Sequence, residues 1–394
     1  MSAAPPGKTW PSVLLVHNRY QQAGGEDAVV DSEAALLASR GHRVLRHERH
    51  NDELRQLPRW QGAAQAFWSP HTSRQLDALI AEQRPDIVHV HNSWPLVSPS
   101  VFFAARRHGV PVVLTLHNAR LVCPQALMLR DGRPCTDCVG RVPWRGVLHR
   151  CYRDSAMETA LVAGVTQLHR LLGTWAGRID RYIALSEFAR DLFIRGGLPA
   201  GRIVVKPHFA EVPGAPEQPR HGLLFVGRLS EEKGLRLLAQ AAQALPPGER
   251  ITVIGDGPLL SALQAHPRLR LLGALPAPAV HEHMRQARAL VLPSLVYEMF
   301  PRTLVEAFAC GLPVLAARHG PMPELVQHER TGLLFEPGEA AALGAAMRRV
   351  LTAPGQVPDE VLQWGQAARA HQQTHWSADA NYRQLSRIYA DLRR

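Results

Sequence analysis

The stretch YEMFPRTLVEAFACGLPVLA, Tyr297 to Ala316, decides how this chain is read. It opens as a loop, enters a helix and leaves it into a strand. Pro301 suits the first helical position, where a missing N–H costs nothing and a fixed φ is already helical. Gly311 ends the helix, and Val314 to Ala316 is a short apolar strand. Another apolar strand, Ala289 to Leu292, precedes the loop. Strand, helix, strand implies a parallel pair joined by a right-handed crossover. Glu298 then stands in the loop and Glu306 about a turn and a half into the helix. Amides from Met299 to Thr303 face the same cleft. A helix N-terminus stabilises a diphosphate, and a carboxylate accepts hydrogen bonds from a sugar or ribose diol. Two glutamates at this spacing are ordinarily solvated surface charges; the apolar flanks favour a site here.

The same alternation extends in both directions. Toward the N-terminus the strands are Ser12 to His17, Ile87 to His91, Val112 to Leu116, Tyr182 to Leu185 and Ile203 to Lys206. Gly24-Gly25 opens a helix from about Glu26 to Arg40, with Val30, Ala34 and Leu37 on one face. Glu26 and Asp27 suit its positive N-terminus. Ser186 caps a helix that runs to Arg195. A polar stretch with Pro213, Gly214, Pro216 and Pro219 reads as a linker. The pattern then restarts with strands Gly222 to Val226, Ile251 to Ile254 and Leu269 to Leu272. The class is therefore α/β: two facing Rossmann-like domains with parallel sheets and a cleft between them. We expect an acceptor-side domain over 1–208, a donor-side domain over 209–375, and an amphipathic helix over 376–394 that returns to the first domain. On that helix Tyr382, Leu385 and Tyr389 share a side.

Composition sets the class. The 394 residues give room for two domains. Apolar residues at 46 % and charged ones at 20 % exclude a disordered chain. No apolar run approaches the roughly 18 residues of a membrane span. Met1 to Pro11 lacks the layout of a secretory signal, so a cytoplasmic enzyme is expected. The net charge of +11 invites a nucleic-acid partner. The basic residues, however, are scattered arginines, with lysine only at 8, 206 and 233. No nucleic acid is expected. Where arginine is the habit, a lysine marks a place that wants a compact charge.

Two further loops follow strands in the second half. GRLSEEKG, Gly227 to Gly234, places Arg228 and Lys233 at a strand end before a helix, which is phosphate-binding chemistry. No Walker A pattern occurs. GDGP, Gly255 to Pro258, has two glycines that fit a backbone approaching a base or ribose, yet it lacks the third glycine of a dinucleotide fingerprint.

Taken in order, GRLSEEKG, GDGP and Glu298-x7-Glu306 followed by AFACGLPV resemble the retaining glycosyltransferases of family 4, over almost the whole chain. The resemblance implies the GT-B fold and a nucleoside-diphosphate-sugar donor. It implies that Arg228 and Lys233 hold the diphosphate, beside Gly227, Gly255 and Gly257. It implies that Glu298 contacts the transferred sugar and Glu306 the ribose. Backbone groups of Met299, Phe300, Pro301 and Arg302 are expected to reach sugar and phosphates, although Pro301 offers no N–H. The family's Pro-Asn-Gly between the domains is Pro207-His208-Phe209 here. On the acceptor side it implies Gly24, Gly25, His91 and Asn118, with His117 near the reacting sugar. The chain has no D-x-D, so catalysis is expected to need no metal. Retention by double displacement needs a carboxylate nucleophile; the first half offers no clear one. The expected route is front-side attack, with the departing phosphate taking the proton. The acceptor class is a glycan, a lipid-linked molecule or a small molecule. A sugar-nucleotide epimerase or sugar-nucleotide-binding protein of the same fold is the alternative.

Cys123, Cys135, Cys138 and Cys151 cluster as C-x11-C-x2-C-x12-C in a loop over 118–152. Four thiolates suit a structural zinc; the alternative is four ordinary thiols. Arg141 to Arg153 alternates bases with Trp144, Val147, Leu148 and Tyr152, and with Trp60, Phe67 and Trp68 it suits an anionic membrane surface. The other reading is a solvated loop.

Overall fold

Two parallel sheets of six strands organise the chain. The computed structural model describes residues 10–22, 24–214, 220–351 and 358–393. The first sheet begins with β1 (Val13–Arg19), β2 (Val44–His50), β3 (Ile87–Val90) and β4 (Val112–Thr115). A small antiparallel hairpin, β5 (Leu129–Arg130) and β6 (Arg133–Pro134), intervenes. The sheet then ends with β7 (Arg181–Ala184) and β8 (Ile203–Val205), in the order β2-β1-β3-β4-β7-β8. The second sheet uses β9 (Leu223–Val226), β10 (Ile251–Ile254), β11 (Leu269–Leu271), β12 (Ala289–Leu292), β13 (Val314–Ala317) and β14 (Gly332–Phe335). Its order is β11-β10-β9-β12-β13-β14. This is the expected pair of Rossmann-like units. Most of the strands are short and almost wholly apolar because helices cover both faces.

The strand order reverses between β1 and β3 in one sheet and between β9 and β12 in the other. At such switch points the loops leaving neighbouring strands part in opposite directions and open a crevice. Those four loops contain Gly24-Gly25, His91, Gly227 to Lys233 and Glu298.

One face of the first sheet, with Leu14, Val16, Val88, Val90 and Leu114, joins an apolar cluster that continues through Met299, Phe300, Leu304 and Phe308 of the second domain. On the opposite face Val13, Leu15, Ile87, Val113 and Ile183 meet Ala34 and Leu37 of the helix Gly25–Ser39. Leu385, Ile388 and Tyr389, from the last helix Ala378–Leu392, complete that layer. The end of the chain thus packs on its first sheet.

Several local expectations change. Pro301 is extended (φ −70°, ψ 121°) and precedes the helix, which runs Arg302–Ala309. The end of the chain holds two helices, Asp359–His375 and Ala378–Leu392. Ser377 separates them, its side chain accepting from the Ala380 N–H. β2 carries VLRHERH, half-buried and charged, as befits a sheet edge that must not pair with another chain. It has no apolar run to betray it. Of the linker, Pro216 and Pro219 lie outside the described residues.

If the last helix is a structural layer, Leu385→Ala leaves a cavity beneath it. Leu385 is fully buried, and the expected loss is about 2–5 kcal/mol in urea unfolding. An unchanged midpoint would mean that the helix is an appendage.

Candidate functional site

The loops that follow β9 and β12 lie against each other. Leu295 N donates to Glu232 O at 2.9 Å, and a Cβ on Gly234 would stand 1.9 Å from the Pro293 carbonyl oxygen. Lys233 Nζ donates to Glu298 Oε1 at 2.5 Å, and Ser294 Oγ donates to the same oxygen at 2.7 Å. Burial alone would push the Glu298 carboxyl up; Lys233, with Ser294, outweighs it and holds the group below its ordinary range. Arg228 is exposed at the start of the same loop.

Gly255 and Gly257 serve a purpose that the sequence did not reveal. Gly227 N donates to Ile254 O at 3.0 Å and Leu229 N to Asp256 O at 2.8 Å. A Cβ on Gly255 would stand 1.9 Å from Gly227 O, and one on Gly257 2.5 Å from Leu229 O. These glycines let two loop backbones touch.

Glu306 is buried on the helix Arg302–Ala309. Arg302 Nε donates to its Oε1 at 2.8 Å, and His281 Nε2 lies 3.8 Å from that oxygen. Arg302 Nη1 and His281 Nε2 are buried without a hydrogen-bond partner. The Met299 and Phe300 side chains are buried in the interdomain cluster. Ser186 Oγ of the first domain donates to Met299 O at 3.1 Å.

Across the cleft, Gly25 comes within van der Waals reach of the second domain: a Cβ there would lie 3.9 Å from Arg302 Cβ. Gly24 N donates to Asp27 Oδ2 at 2.9 Å, and Asp27 Oδ1 lies 2.8 Å from His17 Nε2. Beside them Glu26 Oε2 accepts from the Tyr20 hydroxyl at 3.0 Å and from Asn118 Nδ2 at 3.5 Å. Its Oε1 is buried without a partner. Burial, outweighing these hydrogen bonds, pushes the Glu26 carboxyl up to about 8. The sequence suggested only a helix-dipole role for Glu26; a raised carboxyl in a cleft was not visible there.

His117 follows β4. Its Nε2 is 2.9 Å from His91 Nδ1, and its ring stacks on His208 with centroids 5.2 Å apart. His208 in turn meets Phe300 edge-on at 5.7 Å. Burial, aided by His91, His208 and His17, holds His117 well below its ordinary value, so the ring is neutral. His208, just past the first sheet, fills the space between His117 and Phe300 of the second domain, a role that no local pattern signals.

Cys123, Cys135, Cys138 and Cys151 line one small cavity with Gly146, Asp137 and Arg145. Burial raises the Cys123 thiol, while the N–H groups of Met128, Gln125 and Ala126 act against it. Among the described residues, Glu33, His89 and His91 are the one trio of potential ligands whose donor atoms all lie within 4.8 Å. The four sulfurs ring their cavity without closing to that distance.

Glu26 provides a pH test. A carboxyl raised from 4.5 to about 8 favours the folded state least once it must ionise. Its unfavourable contribution grows as pH rises through that window and is complete above it. Glu26→Gln is therefore expected to raise the Tm at pH 9 relative to wild type and to change it little at pH 4.5. Equal shifts at both pH values would contradict a raised carboxyl.

Residues 23–212 match the family described as Glycosyltransferase Family 4, and residues 220–353 the family described as Glycosyl transferases group 1. The chain is 30 % identical over 295 residues to the 2-deoxystreptamine glucosyltransferase of Streptomyces kanamyceticus, covering 70 % of each chain. It is 33 % identical over 185 residues to the amylovoran biosynthesis glycosyltransferase AmsK of Erwinia amylovora, covering 43 % of this chain and 44 % of that protein. It spans less than two thirds of the length of most of the first curated relatives it matches. Among solved structures, Anabaena HepE in complex with UDP-glucose superposes with a TM-score of 0.68 at 18 % identity, over 96 % of this chain and 99 % of that one. With two Rossmann-like domains, matching families across both and a relative covered over most of its length, the chain belongs to the group 1 glycosyltransferases of GT-B fold.

Proposed function

We propose that this chain transfers a sugar from a nucleoside-diphosphate sugar to a glycan, lipid-linked or small-molecule acceptor, with retention and without a catalytic metal. The observation that carries this is the convergence of Arg228, Lys233, Glu298, Arg302 and Glu306 around one switch-point crevice. As the C–O bond to the diphosphate breaks, charge develops on the leaving phosphate. Arg228 and Lys233 answer it, with the amide-rich entry to the helix after Pro301. Lys233 already pairs with Glu298, so the residue that meets the phosphate is tied to the residue that meets the sugar. Glu306 accepts from the ribose diol. The unpartnered Arg302 Nη1 and His281 Nε2 beside it offer two more donors. The like-folded HepE was solved with UDP and with UDP-glucose, which fits a donor of this class. Gly24, Gly25, His117 and Asn118 line the acceptor side, and His91, expected there from the sequence, stands buried behind His117. The leaving phosphate takes the acceptor proton on the face it departs from.

The four cysteines hold a structural zinc in this account. Burial raises the Cys123, Cys138 and Cys151 thiols, so the metal itself must displace their protons; N–H groups directed at Cys123, and that of Gly146 at Cys138, assist. The chain is a cytoplasmic protein that rests peripherally on an anionic membrane. Trp60, Trp144, Leu148, Met157, Leu171 and Leu172 are exposed. Arg141, Arg145 and Arg153 are exposed as well, and Arg145 lies over the Trp144 ring. No helix among the described residues is long and apolar enough to cross a membrane.

Arg228→Ala and Lys233→Ala are each expected to lower turnover about 100-fold, since one such donor is worth ~3 kcal/mol. Glu306→Ala chiefly weakens donor binding. EDTA added just before assay leaves the rate unchanged. Wild-type turnover in either cation variant, or activity lost to EDTA and restored at once by Mg²⁺ or Mn²⁺, would contradict the donor-site account.

The zinc is checked separately. Purified protein should carry about one equivalent by elemental analysis. Cys138→Ser should lose it and lower stability while donor binding persists. A zinc-free protein of full stability removes the site.

A further inference from the structure

Lys206 is fully withdrawn from solvent, and the donor site makes no use of it. Its Nζ donates to Glu33 Oε2 at 2.9 Å and to Asn381 Oδ1 at 3.2 Å. The other oxygen of Glu33, Oε1, faces two rings: His89 Nδ1 at 3.1 Å and His91 Nε2 at 3.3 Å. His89 is committed elsewhere, with Nδ1 at 2.7 Å from the Tyr389 hydroxyl and Nε2 at 2.8 Å from the Thr115 hydroxyl. Glu33 Oε1 and His91 Nε2 are both buried, and neither makes a hydrogen bond to any described residue; at 3.3 Å they stand just short of one with each other. Each is left to satisfy the other, because an unmade buried bond costs a full desolvation penalty.

That assigns the protons in sequence. A carboxylate accepts, so His91 carries hydrogen on Nε2 and its Nδ1 is bare. His117 Nε2 lies 2.9 Å from that bare nitrogen, so it carries the next hydrogen and donates. In the neutral ring Nδ1 of His117 is then an acceptor. No hydrogen bond within the described protein uses it, and it is not among the buried unpartnered atoms, so it is left open to a ligand.

We propose that Glu33, kept ionised by Lys206, is a positioning residue that sets the tautomer of His117 through His91, so that His117 presents an accepting Nδ1 to a hydroxyl in the cleft. That the hydroxyl belongs to a sugar rests on the transferase reading; the tautomer does not. A metal on Glu33, His89 and His91 is the competing use of these groups. The ammonium of Lys206, 2.9 Å from the same carboxylate, opposes a second cation there.

The test uses ligand-free, full-length protein labelled with ¹⁵N-histidine, and reads each ring's tautomer from long-range ¹H–¹⁵N correlations. The expected wild-type spectrum shows His91 and His117 both protonated on Nε2. In Glu33→Gln the His117 preference is lost and signals of both tautomers appear. His117 protonated on Nδ1 in wild type overturns the proposal whether or not the variant folds, as does an unaltered His117 in a folded Glu33→Gln. A stoichiometric metal whose removal shifts the His89 and His91 signals also overturns it. Where transfer is measurable, Glu33→Gln lowers kcat roughly tenfold or more with donor KM unchanged. In a His117→Ala background it lowers kcat no further; a purely structural role would lower it again.

Discussion

A charge pair with almost no access to water ties the first helix, the end of the first sheet and the last helix together. Lys206 and Glu33 are both about 2 % exposed. Burying two charges costs several kcal/mol per ion unless their remaining valences are filled. Here three elements meet, with Asn381 beside the ammonium and the His89 and His91 rings facing the carboxylate. Glu33 comes from the first helix. Lys206 stands just past β8, where the chain leaves the first domain. Asn381 comes from the last helix, and besides accepting from Lys206 it donates to Pro207 O at 2.7 Å. The outgoing strand and the returning helix are tied at one point. The His208 that follows is thereby set against His117 on one side and Phe300 on the other.

From that fixed point the two switch crevices face each other, and the chemistry divides between them. The second domain supplies charge: an exposed Arg228, a Lys233 bound to Glu298, and a buried Glu306 with Arg302. In the first, the charged groups are buried and paired, Asp27 with His17 and Glu33 with Lys206. His117 is uncharged, and Glu26 is pushed to a carboxyl that ionises only near pH 8. This asymmetry suits a group transfer in which negative charge develops on one partner alone. In the proposed transfer, Arg228 and Lys233 put positive charge where the leaving phosphate would form.

Much of this was legible in the sequence, and the failures share a cause. Strands such as Ala289–Leu292 announce themselves by unbroken apolar runs, and the helix that carries Glu306 by the Pro before it and the Gly after it. β2 was hidden because an edge strand facing water carries VLRHERH. Glu26, Glu33, Lys206 and His208 were hidden because their meaning is tertiary: nothing near Lys206 in sequence indicates a carboxylate 173 residues away. The rarity of lysine did mark the position, without saying what it paired with. Gly255 and Gly257 carry a second reason that spacing alone did not reveal. Their spacing suggested a ligand, and the structure supplies a nearer reason in two backbones that touch.

The central claim is that a sugar is activated for transfer by the cations of the second domain and leaves with its configuration kept. The most direct measurement offers the protein a panel of nucleoside-diphosphate sugars without acceptor and follows the anomeric proton of the released sugar by NMR. Water should then serve as a poor acceptor. The account predicts slow release from at least one donor, with the first-formed sugar in the donor's anomeric configuration. First-formed sugar of inverted configuration, or no release from any donor that binds, would contradict it.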